Sequence, residues 1–275
     1  SGQADSKVTL TATVKNGGVT LTKEFVVTVT AQKDMTNLEY FDNDKVVVTD
    51  EYYQNALELD VQNLLKLDAD RLLAGFRETA GYAAGMSDKD IESYMKNKKR
   101  YEGGWENSLI GGHTLGHYMS AVAQGIVNPG VTAEEKEKLT ERLNYIIDAL
   151  NDCQKKTEGV NGLEGYIFGA TLPNSSFKKN VALQFDNVKK GRANIATEAW
   201  VPWYTMHKIL AGLVDSYQIA GNKTAIEVAN KLGTWIADRA NNWSSSTQST
   251  VLGIEYGGMN DALYQLYKVT DASNK

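Results

Sequence analysis

"NALELDVQNLLKLDADRLLAGFRETAG", residues 55–81, sets the class of this fold. Leu57, Val61, Leu64, Leu65, Leu72 and Phe76 recur at three- and four-residue intervals, the spacing that gathers apolar side chains on one face of a helix. Gly81 reads as the stop, because glycine tolerates the backbone that succeeds a helix end. Working outward, residues 88–99 read as a short helix with a lysine-rich, solvated end, and residues 105–127 as a helix closed by Asn128-Pro129-Gly130. Thr132 with Glu135 three residues on has the capping-box spacing and opens another helix. Residues 201–220 and 223–240 make a helix pair joined at Gly221-Asn222, and a last helix runs over residues 260–269. Residues 159–194 are rich in glycine, asparagine and lysine with little periodicity, a long connection of the kind that is functional or ordered by contacts. About six or seven helices in succession, with no strand pattern between them, predict a mainly α fold of helical hairpins, an α/α toroid or a solenoid. No fixed period repeats, which favours the toroid over a repeat array.

Upstream the pattern changes. Residues 7–31 alternate through Val8, Leu10, Ala12 and Val14, turn at Asn16-Gly17-Gly18, and resume through Val19, Leu21, Phe25, Val27 and Val29. Period-two alternation around such a turn predicts a β-hairpin. Two strands alone are marginal in water, so the hairpin is expected to be the tail of a sandwich or to pack on the downstream part of the chain. It resembles the last strands of a bacterial immunoglobulin-like module.

The composition excludes several classes. The chain has 275 residues, 42% hydrophobic and 23% charged, with a net charge of -5, so it carries no basic footprint for nucleic acid. No apolar run reaches the roughly 18 residues that a membrane span needs. "SGQADSKVTL" at the start lacks the basic and apolar regions of a signal peptide. The single cysteine, Cys153, cannot form an intrachain disulfide or a cysteine-rich zinc site. Its place in "DALNDCQ", on an amphipathic helix, reads as a small buried hydrophobe.

Three stretches carry the candidate chemistry. In "GGHTLGHYMSA", residues 111–121, His113 and His117 fall on the side of the helix away from Leu115, Met119, Val122 and Ile126, together with Ser120 and Gln124. That side faces either solvent or a cavity. Histidines four apart can hold zinc in H-E-x-x-H, but here Thr114 comes after the first histidine and the general-base glutamate is missing. A third ligand would have to be His207 or a carboxylate, so no metal is expected in this chain. In "EAWVPWYTMHKILAGL", residues 198–213, Pro202 suits a first helical turn, Trp200, Trp203 and Tyr204 cluster, and His207 lies one turn after Trp203. Rings beside polar groups make a sugar site, where C–H faces of the sugar stack while its hydroxyls hydrogen-bond. Trp203, Leu210, Val214 and Tyr217 fit a core stripe equally well. "IEYGGMNDALYQLY", residues 254–267, and "YEGGWEN", residues 101–107, each set a glycine pair beside a glutamate, letting backbone approach a ligand or simply turn. Glu106, Glu198 and Glu255 are the carboxylates from which a glycosidase pair could be drawn.

Taken in order, "LLKLDADRLLAGFRETAG", "YEGGWE", "GGHTLGHYMSAVA", "DALNDCQ", "WVPWYTMHKILAGLVDSY" and "EYGGMNDALYQLY" resemble the N-terminal half of the β-L-arabinofuranosidase-like enzymes of glycoside hydrolase family 127 and its relatives. The resemblance implies three segments: residues 1–32 as the remnant of the immunoglobulin-like module, 33–51 as a linker, and 52–275 as half of an (α/α)6 toroid. It implies exo-acting, retaining cleavage of arabinose-containing plant glycans by an enzyme of extracellular or cell-surface bacterial setting. In that family a zinc-bound cysteine nucleophile and a glutamate acid/base lie in the later part of the toroid. Cys153 does not match the nucleophile's motif, so no catalytic residue, zinc ligand or cofactor is expected here, and the chain alone is expected to be inactive. His207 in "YTMHK" matches a pocket-lining position of the family. With Trp203, His113, Trp105, Asn260, Arg77 and Glu255 it forms the expected substrate-binding set. An exposed toroid edge would favour self-association. The alternative is a non-catalytic carbohydrate-binding or helical interaction domain.

Overall fold

The computed structural model describes residues 6–29, 41–172 and 174–271. The chain divides into two compact units, Ser1–Asp42 and Asn43–Lys275. In the first, β1 (Ser6–Asn16) and β2 (Val19–Val29) pair antiparallel about a two-residue turn at Gly17 and Gly18. Gly17 has φ +58°, the left-handed backbone that such a turn needs and that glycine takes at least cost. The register sets Leu10 opposite Phe25 and Val14 opposite Leu21, and these apolar side chains are exposed.

The second unit is built from helices: α1 (Glu51–Lys66), α2 (Ala69–Ala83), α3 (Asp88–Tyr94), α4 (His113–Val127), α5 (Ala133–Lys155), α6 (Ser175–Lys179), α7 (Leu183–Lys189), α8 (Pro202–Gln218), α9 (Lys223–Ala240), α10 (Ser245–Ile254) and α11 (Gly258–Asp271). The protein is thus mainly helical with a short N-terminal hairpin, an arrangement consistent with part of a toroid.

The run at residues 55–81 is two helices rather than one. Asp68 breaks it: its carboxylate accepts from the amides of Asp70 and Arg71, capping α2, while its own amide donates to Tyr101 Oη at 2.6 Å. The carbonyls freed at the end of α1 are taken by Arg142 of α5, which donates to the oxygens of Leu65 and Leu67. Gly81 does not end α2. It lies inside, where Ile91 fills the place of a side chain; a Cβ there would stand 2.5 Å from Ile91 Cγ1. The stop is four residues on, at Gly85 with φ +70°, where the amides of Gly85 and Met86 bond to the oxygens of Tyr82 and Gly81 in a Schellman motif.

Residues 105–127 are likewise not one helix. Gly112 takes φ +92°, and α4 begins at His113. The helix expected over 88–99 ends at Tyr94, with Lys96 and Asn97 in the left-handed region. The capping box at Thr132 and Glu135 is present in full. Residues 159–194 are ordered by contacts, burying Tyr166, Phe168, Phe177 and Phe185 in the core, and they also hold the short helices α6 and α7, which the sequence pattern does not mark. Helix α10 has no counterpart among the sequence-predicted helices; its weak amphipathicity and run of serines and threonines give no periodic signal.

Packing places α4, α8 and α11 side by side, with α5 behind α4 and α9 behind α8. Helices α4 and α8 run parallel: His113 lies near Tyr204, Gly116 near Lys208 and Ile209, and Ser120 donates to Asp215 at 2.6 Å. Glycines set this spacing, since a Cβ on Gly116 would meet the Lys208 carbonyl at 2.0 Å and one on Gly212 the Gly116 carbonyl at 2.5 Å. Leu115, Met119 and Val122 of α4 join Leu139, Leu143 and Ile146 of α5 within one buried cluster that also takes Ile209 and Leu213 of α8. The close parallel pair brings the starts of α4 and α8 to the same end of the unit.

Candidate functional site

The first turn of α8 lacks a side-chain cap of its own. Val201, the residue before Pro202, has φ 40°, a left-handed backbone that is costly for a β-branched residue, by about 1–3 kcal/mol, and that is typical of constrained sites. Pro202 has no amide to satisfy, but Trp203 and Tyr204 do. Their partner comes from a distant part of the chain: Glu255, at the end of α10, accepts from the Tyr204 amide at 3.0 Å through Oε2, and from Trp203. The carboxyl is buried, which pushes its pKa up to about 7 against the pull of those two amides. Glu255 Oε1 is buried with no partner among the described residues.

One turn along, His207 is buried against the start of α11. Its ring covers Gly258, where a Cβ would stand 2.3 Å from Nε2. Burial, with Lys208 adding, holds its pKa down to about 4, so the ring is neutral around pH 7. Tyr204 stands between this histidine and the next. Ring centroids lie 5.2 Å apart for Tyr204 and His207, 6.4 Å for Tyr204 and His113, 5.2 Å for His113 and Trp105, and 6.2 Å for His113 and His117. All three histidines of the sequence therefore belong to one chain of rings. His117 is exposed, and partial burial, then Lys208 and His113, lower its pKa.

Beside these rings is a cavity of about 140 Å³, walled by Trp203, Tyr204, His207, Trp243, Glu255 and Asn260 among others. Of the seven residues expected to bind substrate, His207, Trp203, Glu255 and Asn260 line it. His113 and Trp105 stand across Tyr204 from it. Trp203 is also core, packed edge-on to Phe185 at 4.8 Å and Trp243 at 5.4 Å. Arg77 lies elsewhere, donating to Asp70 at 2.7 Å and Tyr145 at 3.0 Å. Glu198 is engaged with Arg192 and the Asn194 amide and joins neither Glu106 nor Glu255.

The opposition of His113 to the apolar stripe of α4 does not leave it exposed. It is buried under Trp105, whereas His117 and Gln124 are exposed. The expected binding set omits Tyr204 and Trp243, which both line the cavity. Tyr204 carries a signal in the sequence, three residues before His207 on one helical face; Trp243 carries none, since its loop has no pattern.

Among the described residues no three His, Cys, Asp or Glu side chains are grouped to hold a metal ion. Cys153 is buried at 3.3 Å from Tyr94 Oη, its thiol pKa pushed up to about 11 by burial.

A family model described as the catalytic domain of β-L-arabinofuranosidase, GH127, matches residues 45–274. A search of curated proteins finds no match.

Proposed function

Because the chain belongs to the GH127 β-L-arabinofuranosidase catalytic-domain family over residues 45–274, a family of glycoside hydrolases, we propose that the cavity at the head of α8 binds an arabinofuranosyl unit of a plant glycan. The observation that carries this reading is that three residues lining the cavity each hold a buried polar atom with no partner among the described residues: Trp203 Nε1, Trp243 Nε1 and Glu255 Oε1. Buried donors and acceptors demand partners, and a sugar offers both kinds on every hydroxyl. Tyr204 and Trp105 are exposed aromatic residues, of the kind on which the C–H faces of a sugar ring stack. Near pH 7 the Glu255 carboxyl is partly protonated, so it can donate to a hydroxyl as well as accept from one.

In this reading the described residues bind and orient the sugar. Exo-acting, retaining hydrolysis is the reaction proposed for the family's full set of catalytic groups, and no nucleophile or acid/base is assigned to this chain. Groups that bind ground state and transition state alike give little rate, so the chain by itself is expected to bind without turnover. One observation favours the second reading, a carbohydrate-binding domain: Glu255 spends one oxygen on capping α8, a structural use. An extracellular or cell-surface bacterial setting fits such a substrate. Self-association through α11, which presents Tyr264 and Tyr267 to solvent on one side, completes the proposal.

The test is calorimetric titration with methyl L-arabinofuranoside, alongside an assay on an aryl arabinofuranoside. Tyr204→Ala is expected to weaken binding about fivefold, the worth of one stacked ring. Absence of binding, or binding indifferent to Tyr204, would overturn the assignment of the cavity. Turnover abolished by Glu255→Gln would move that carboxyl from binding into the chemistry.

A further inference from the structure

The loop before α4 returns a carboxylate to the first residue of the helix. Gly103, Gly104 and Gly112 all have positive φ, at 81°, 59° and 92°, and they fold residues 101–112 back on themselves. The approach is close enough to require glycine at position 111 as well, where a Cβ would lie 2.4 Å from the Glu106 carbonyl. Glu106 Oε2 accepts from the Gly112 amide at 3.0 Å. The other oxygen, Oε1, is buried, makes no hydrogen bond to a described residue, and lies 3.8 Å from His113 Nδ1. The same Nδ1 is 3.2 Å from the Ile110 carbonyl oxygen.

We infer that Glu106 is a positioning residue for His113: with the Ile110 carbonyl it fixes the imidazole as its Nδ1–H tautomer, and so leaves Nε2 as an acceptor, on the Trp105 side of Tyr204, for a hydroxyl of a sugar that reaches beyond the cavity. Carbonyl and carboxylate oxygens only accept, so the nitrogen that faces both must carry the hydrogen. A neutral imidazole has one such hydrogen, which leaves Nε2 with a bare lone pair. No hydrogen bond from Nε2 to a described residue exists, and the ring is held between Trp105 and Tyr204, two of the surfaces offered to a sugar. A carboxylate behind an imidazole that works through its other nitrogen is the same arrangement that orients histidines bound to metals. The hydroxyl step rests on the carbohydrate reading above; the tautomer does not.

The experiment records side-chain nitrogen spectra of the three histidines in the whole chain at neutral pH, without sugar. His117 serves as the internal reference, since it is exposed on the same helix and makes no such contact. His113 is expected as the Nδ1–H form, distinct from His117. An Nε2–H form, or the same mixture as His117, overturns the inference whatever any variant does. Glu106→Gln keeps an oxygen for the Gly112 amide while removing the carboxylate, and is expected to move His113 toward the mixture; an unchanged spectrum shows that Ile110 suffices and overturns the role of Glu106. Titration with methyl L-arabinofuranoside should then weaken roughly three- to tenfold in Glu106→Gln, the range of one hydrogen bond. Equal affinity overturns the hydroxyl contact. No binding by the unaltered chain overturns the carbohydrate reading and the hydroxyl step with it, while the nitrogen spectra still decide the tautomer.

Discussion

Arg77 and Glu255 are buried to nearly the same depth, 4% and 8% exposed, yet they live in opposite surroundings. Arg77 is matched. Burial acts to lower its pKa, but Asp70 and Tyr145 outweigh it and the net shift is upward; Asp70 in turn is held low by Tyr145, Arg77 and Lys96 against its own burial. At Glu255 burial wins, one oxygen caps α8, and the other has no partner among the described residues. A charge whose bonds are met within the protein is spent on holding α2 to α5. A polar group left short beside a cavity is a demand that the described residues do not meet. The sequence offers both residues for the same role, and only their partners separate them.

The sharpest way to break this contrast is Arg77→Ala. Removing one partner of a buried pair strands Asp70 and Tyr145, and should cost about 3 kcal/mol, discounted from the fully buried case because Asp70 is partly exposed. Chemical denaturation checks it through the transition midpoint. A loss under about 1 kcal/mol would mean that the network is as dispensable as a surface pair.

The cavity side is probed by pH. The Glu255 pKa is raised in the folded state, so its contribution is fully present below about pH 4.5 and is lost as pH rises through about 7. His207, lowered to about 4, works in the reverse direction: stability is lost as pH falls from about 6.5 toward 4, because only the unfolded chain takes up the proton. The two slopes oppose each other between about pH 4.5 and 6.5, leaving the unaltered protein nearly flat there with respect to this pair. Glu255→Gln should unmask the histidine slope, and relative to the unaltered chain it should gain about 2 kcal/mol in going from about pH 5 to 8. Parallel stability curves for the two proteins over that range would show that the buried carboxyl is not held in its neutral form.

The smallest expected change in stability belongs to Trp105, 56% exposed on the loop over His113. Trp105→Ala should alter the thermal midpoint by less than the equivalent of about 0.5 kcal/mol, while weakening arabinofuranoside binding about fivefold. A large stability loss with unchanged binding would return Trp105 to the fold and remove it from the site.

Much of the fold is legible in local chemistry. The capping box at Thr132 and Glu135, the Asn-Pro-Gly close of α4 and the two-residue hairpin turn each depend on neighbours in sequence, and each is found where the residues put it. Where local reading fails, a distant residue has intervened. Gly81 looks like a stop because glycine usually is one, but Ile91 needs the space it leaves. The aromatic residues of 159–194 show no period because they pack individually against Trp203 and Trp235 rather than along one helical face.

The sequence by itself determined the mainly helical class, the hairpin ahead of it, and the family, because helical periodicity, capping and motif order are properties of residues a few positions apart. It also supplied the parts of the site, since a histidine beside aromatic rings is visible in a row of letters. Only the tertiary structure decided which parts meet. Glycine-to-backbone contact at Gly116 and Gly212 draws α4 and α8 together, and that approach sets His113 beside Tyr204. The chain's return after α10 sets Glu255 under the amides of α8 and raises its pKa. Burial and pairing are relations between residues far apart in the chain, and no pattern of neighbours encodes them.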